Sequence, residues 1–145
     1  MNELILTRYI HFIGIIIVFG MVLAELVLIQ DKLKRSVIKR IFILDGIYGA
    51  FSLIVVGAGL YLWLGIGKPA EFYTANPLMH AKVGLFIIVG ILSIWPTVFY
   101  FKNRKGEHDQ MIAVPAYIKR IIQVELGLLV LIPLLATFMA QGVGL

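Results

Sequence analysis

Long apolar stretches alternate with short polar segments along the whole chain. Four runs consist almost entirely of hydrophobic residues, at positions 8–30, 41–65, 78–101 and 117–141. Each run exceeds the roughly 20 residues that an α-helix needs to cross a hydrocarbon core about 30 Å thick. The pattern therefore predicts an all-α integral membrane four-helix bundle, in which residues 1–145 form a single domain.

The composition agrees with a chain that is surrounded by lipid. Of the 145 residues, 61% are hydrophobic and only 14% are charged, whereas a soluble domain carries about 25% charged residues. The chain contains no cysteine, which excludes disulfides, thiolate ligands and cysteine-based redox motifs. Redox chemistry in this protein would therefore require a bound cofactor.

Basic residues are concentrated around the first and third connections between the apolar runs. They are Lys32, Lys34, Arg35, Lys39 and Arg40 in the first group, and Lys102, Arg104, Lys105, Lys119 and Arg120 in the second. The positive-inside rule places both connections in the cytoplasm and both termini outside, an N-out/C-out topology. We therefore expect a multi-pass protein of the bacterial cytoplasmic (inner) membrane whose basic residues contact anionic lipids, and we expect no nucleic-acid partner.

Ionisable residues inside the apolar runs are the strongest functional candidates, since hydrocarbon excludes them unless they have a purpose. His11, His80 and Lys82 form a predicted outer layer. Neutral imidazole is a good ligand for haem iron, so His11 and His80 are candidate metal ligands. His80 and Lys82 are about 200° apart around their helix, and only one of them can point into the bundle. Arg8, one turn before His11, is placed to bind an anionic group such as a haem propionate, with interface anchoring as the alternative.

A second layer of ionisable residues is predicted near the cytoplasmic ends of the helices. Glu25, Asp45 and Glu125 lie within the apolar runs, and Arg40 and Arg120 are near enough along the chain to reach them. We interpret these residues as an intramembrane ion-pair layer. Proton conduction through the carboxylates is the alternative interpretation.

Several segments resemble an uncharacterised bacterial family of four-helix membrane proteins that is known only as a domain of unknown function. They include Tyr9-Ile-His-Phe-Ile-Gly, Leu44-Asp-Gly-Ile-Tyr-Gly and Leu92-Ser-Ile-Trp-Pro-Thr. The chain is more remotely similar to the HemJ-type protoporphyrinogen oxidases and to CopD-like membrane proteins. In HemJ-like proteins, a histidine early in the first helix and a lysine that opens a later helix are linked to b-type haem. His11 and Lys82 occupy similar places, and the resemblance therefore implies haem b, although the tryptophan of the lysine segment is absent here.

The leading hypothesis from the sequence is a membrane redox protein that binds b-type haem near its outer face. It would be an electron-transfer protein or a HemJ-like oxidoreductase, with His11 as one axial ligand and His80 or Lys82 as the second ligand or a propionate partner. Permeation of a metal ion or a proton is an alternative of a different class. A third is a non-catalytic membrane subunit or scaffold, acting as a homo-oligomer or beside a membrane redox partner.

Overall fold

A computed structural model describes residues 2–66, without the side chain of Ile66, and residues 77–141. Four long helices account for most of them: α1 (Glu3–Leu28), α2 (Arg35–Tyr61), α3 (Pro77–Asn103) and α4 (Ala116–Ala140). The end of α2 continues into a π-helical segment, Leu62–Ile66. All four helices are long and apolar enough to cross a membrane. The predicted all-α membrane bundle is confirmed.

Two helices begin earlier than the apolar runs indicated. Helix α1 begins at Glu3, because the side chain of Asn2 accepts a hydrogen bond from the Ile5 N–H (2.9 Å) and caps the first turn. Helix α2 begins at Arg35, so residues 35–40 are helical, not part of the connection. Hydrophobicity alone underestimates the length of such helices, because long basic side chains can extend from the end of a membrane helix towards water. Helix α3 begins at Pro77, a residue type that favours the first helical position.

The sequence did not predict the two short strands that join the two basic connections. Strand β1 (Lys32–Lys34) pairs antiparallel with β2 (Met111–Ala113), and Leu33 faces Ile112 in the register. The Val114 N–H extends this contact by donating to the Asp31 carbonyl at 2.8 Å. The ladder brings the two basic connections together at one end of the bundle.

Helix packing divides the bundle into two closely packed hairpins. Helix α1 packs most extensively on α2, and α3 on α4, whereas the α1–α4 and α2–α3 seams are less extensive. The core between the helices is apolar and includes Val22, Ile41, Val89 and Ile122. Many large apolar side chains lie on the outside of the helices, as expected where lipid is the solvent.

Candidate functional site

Three carboxyl groups from three different helices meet inside the bundle. Glu25 of α1, Asp45 of α2 and Glu125 of α4 are only 1%, 5% and 1% exposed. All three carboxyl groups lie within electrostatic range of one another. We call these three residues the carboxyl cluster. Because buried carboxylates repel each other and an ionised carboxylate can only accept hydrogen bonds, carboxyl groups buried this close together favour a shared proton.

Hydroxyl groups supply the polar surroundings of the carboxyl cluster. Thr97 of α3 donates to Asp45 Oδ2 at 2.5 Å, so all four helices contribute to the site. Tyr48 donates to Glu125 Oε1 at 3.3 Å. The fully buried Tyr100 hydroxyl also lies within electrostatic range of the three carboxyl groups. The site can therefore hold and exchange protons among several oxygen atoms.

Two buried oxygen atoms at this site have no hydrogen-bond partner within the described part of the chain. They are Glu25 Oε1 and the Tyr100 hydroxyl oxygen. Buried polar atoms are normally hydrogen-bonded, and leaving one without a partner costs about 1–3 kcal/mol. Such atoms frequently mark functional sites, where a proton, water or ligand completes the hydrogen bonding.

The arginines predicted to pair with the carboxyl cluster lie elsewhere. Arg40 and Arg120 are exposed, and no ion pair within the described residues joins either of them to the cluster. Arg120 instead lines a separate surface cavity of about 260 Å³ with Lys119 and Asp31. Long basic side chains gain more from hydration at the membrane surface than from entering an apolar bundle. The carboxyl groups interact with each other and with hydroxyls in place of the expected ion-pair layer.

The cluster does not have the arrangement of a metal site. Within residues 2–66 and 77–141, no group of three His, Asp or Glu side chains is spaced to hold a metal ion.

Of the predicted outer layer, His11 is the residue that the structure fixes most firmly. Its Nδ1 lies 3.0 Å from the Val55 carbonyl oxygen of α2, and a Cβ atom on Gly59 would lie 3.1 Å from its Cε1. A histidine that donates Nδ1–H to a carbonyl keeps Nε2 available as a ligand, as metal-binding histidines commonly do. Lys82 is half-buried and lies within electrostatic range of His11.

The remaining candidates for haem binding lie towards the surface. His80 is exposed and makes an edge-on contact with the Trp63 ring, with 6.4 Å between ring centroids. No described contact joins His80 to His11. Arg8 is also exposed. The hydrogen bonding of His11 fits a haem ligand, and a second ligand from His80 or Lys82 stays a prediction.

Three hydroxyl residues of the site were not identified from the sequence, although their spacing could have indicated them: Tyr48, Thr97 and Tyr100. Tyr48 follows Asp45 by three positions, and Tyr100 follows Thr97 by three, so each pair shares one face of its helix. Two such polar pairs on neighbouring membrane helices indicate a shared buried site. This spacing is difficult to recognise in the sequence alone, because tyrosine is also common at membrane interfaces for unrelated reasons.

The comparison with protein families accounts for nearly the whole chain. The family model described as "Predicted membrane protein (DUF2214)" matches residues 3–144. The chain belongs to this family. No curated protein and no solved structure matches it.

Proposed function

We propose that this protein binds and releases protons inside the bacterial cytoplasmic membrane, as a proton-permeating or proton-coupled membrane protein. The observation that carries the proposal is that Glu25, Asp45 and Glu125 are all buried within electrostatic range of one another, beside the hydroxyl groups of Tyr48 and Thr97. Buried charges are retained in membrane helices mainly for function, and chains of acidic side chains commonly serve as proton relays. Glu125 and Tyr48 extend the set of groups that can share the proton.

Infrared spectroscopy of the reconstituted protein tests this proposal directly. We expect the C=O stretching band of a protonated carboxyl group at neutral pH, because three carboxyl groups buried this close together in an apolar bundle cannot all stay ionised. The band should disappear or shift in Glu25→Gln and in Asp45→Asn. The exposed carboxylate of Glu107 provides the control, and Glu107→Gln should leave the band unchanged. A wild-type spectrum without a protonated carboxyl band, or one that neither cluster variant alters, would contradict the proposal.

Haem binding is a second candidate function, favoured by the hydrogen bond that orients His11. With Nδ1 held by the Val55 carbonyl, Nε2 can serve as an axial ligand, and the half-buried Lys82 can serve as the second ligand or a propionate partner. Bound haem would supply one-electron chemistry, and the chain would position it and exclude water. A homo-oligomer or a membrane redox partner would then complete the electron path.

The visible spectrum of the purified protein tests haem binding. We expect a Soret band and sharp reduced α and β bands after reconstitution with haemin, and His11→Ala should abolish them. His80→Ala is the matched control, because His80 is exposed beside Trp63 and should leave the spectrum unchanged. A featureless spectrum of the wild-type protein after reconstitution would exclude this candidate.

A further inference from the structure

A cleft lies between α2 and α3, on one of the two less extensive helix seams. The cavity has a volume of about 370 Å³, and we call it the α2–α3 cleft. Its lining combines the aromatic residues Phe42, Tyr48 and Phe86 with the polar groups Asp45, Ser93 and Thr97. Glycines 46, 49 and 90, which also line the cleft, are exposed on the outside of the bundle. The cleft thus connects the lipid-facing surface to the carboxyl cluster.

The lining chemistry matches a small organic cation. The volume falls within the range of about 300–1,000 Å³ that is typical of small-molecule sites. Aromatic faces attract cations, and aromatic residues beside a carboxylate are the usual way in which proteins recognise quaternary ammonium groups. Tyr48 and Phe86 provide the aromatic component, and Asp45 provides the carboxyl group. By contrast, the Phe42 ring already has the Arg104 guanidinium 5.6 Å from its centroid. Among the described residues that line the cleft, none is lysine or arginine.

Burial of the carboxyl cluster supports a ligand of positive charge. Asp45 is only 5% exposed and lines the cleft, within electrostatic range of the buried Glu25. A carboxyl group inside a membrane needs a proton or another positive charge to compensate its burial. A cation in the cleft would supply that charge next to Asp45.

We propose that the α2–α3 cleft binds an aromatic quaternary ammonium cation from the bilayer, and that its binding releases one proton from the carboxyl cluster. The proposal rests on the proposed proton-binding function and names a substrate class for it. The exchange conserves charge, because one cation enters as one proton leaves to the aqueous phase, and no covalent bond other than that O–H bond changes. Cation and proton would therefore compete for the same carboxyl groups.

Calorimetric titration of the detergent-purified protein with benzyltrimethylammonium tests the proposal. Repeating the titration in two buffers of different ionisation enthalpy gives the number of protons released. We expect one cation bound and about one proton released per chain. Asp45→Asn should weaken binding by at least about tenfold, since the Coulomb attraction between the carboxylate and the cation is lost. Absence of saturable binding to the wild-type protein, or binding without proton release, would overturn the proposal.

A variant that fills the cleft distinguishes loss of the binding site from general effects of mutation. An added Cβ on Gly90 meets no atom within 4 Å, so Gly90→Leu should occupy the cleft without disturbing helix packing, and it should weaken binding by at least about tenfold. Gly84 lies on the same helix with an equally open Cβ position and does not line the cleft. Gly84→Leu should bind the cation like the wild-type protein. Equal binding by both leucine variants would place the cation elsewhere.

The infrared measurement distinguishes failure of this inference from failure of the proposed function. A wild-type protein that shows the protonated carboxyl band and binds no cation retains the proton-binding function and refutes the cleft proposal. A wild-type protein without that band refutes the proton-binding function itself. A cation that binds while the Asp45→Asn variant binds equally well also refutes the cleft proposal, because the carboxyl group would then play no part.

Discussion

Single glycine residues determine how closely α1 approaches α2. A Cβ atom on Gly14 would lie 2.6 Å from Val55 Cγ2, a distance that real Cβ contacts essentially never show. The same stretch of α2 carries the Val55 carbonyl that His11 contacts. Close helix approach through small residues provides much of the stability of membrane bundles. The packing of Gly14 therefore also determines the position of His11.

Replacing Gly14 by alanine should destabilise the protein. We expect Gly14→Ala to lower the free energy of unfolding by about 1–3 kcal/mol, because the β-branched Val55 side chain has little freedom to move away. Gly20→Ala is the control, since a Cβ on Gly20 meets no atom within 4 Å. Thermal unfolding in detergent measures both. Adding Val55→Ala to Gly14→Ala should restore part of the loss, and a Gly14→Ala protein as stable as the Gly20→Ala protein would contradict this packing.

At the level of single residues, the acidic residues of the site could be identified from the sequence, but their contact partners could not. Glu25, Asp45 and Glu125 were recognisable because charge is rare in apolar runs. Their contacts with each other depend on the rotation of three helices about their axes, which the evenly apolar faces of this chain do not specify. Basic residues nearby in sequence therefore suggested ion pairs, whereas burial favoured contacts among the carboxyl and hydroxyl groups.

Among the structural elements, the connection between α3 and α4 is held in place by one side chain of α2. Arg35 Nη1 donates to the carbonyls of Asn103 (2.8 Å) and Lys105, and Nη2 donates to Gln110 Oε1 at 2.8 Å. Arg35 is buried, although the sequence suggested only a basic residue that sets topology. A guanidinium group can make several such bonds in one plane, which the lysine ammonium group cannot do.

A substitution at Gly106 tests whether Arg35 holds the connection between α3 and α4 in place. Its φ angle is +134°, a conformation that side chains disfavour, and an added Cβ would lie 2.7 Å from Arg35 Cζ. We expect Gly106→Ala to destabilise the protein by about 1–3 kcal/mol and to increase the rate at which protease cleaves the connection. Ala113→Gly, at an exposed position of β2, serves as a reference for small changes here. A Gly106→Ala protein with wild-type unfolding and cleavage would show that Arg35 does not constrain this segment.

For the whole molecule, hydrophobic runs were sufficient to predict the number of membrane helices but not how they are arranged. Packing within the two hairpins is extensive, and the seams between hairpins leave room for the α2–α3 cleft. A seam of this kind arises from the balance of contacts among all four helices, so no local sequence pattern encodes it. The β1–β2 ladder depends in the same way on two distant connections that meet at one end.

At the scale of the whole molecule, the distribution of basic residues predicts how the bundle is oriented in the membrane. Because the ladder joins both basic connections at one end, a single measurement at that end orients the entire protein. The chain has no cysteine, so single-cysteine variants can be labelled without background. We expect a membrane-impermeant maleimide to label the exposed position 107 in Glu107→Cys only in inverted vesicles. Gln141→Cys, exposed after the end of α4, should be labelled in intact spheroplasts. The reverse pattern would place the carboxyl cluster nearer the outer face, and the proton released there would then enter the periplasm and not the cytoplasm.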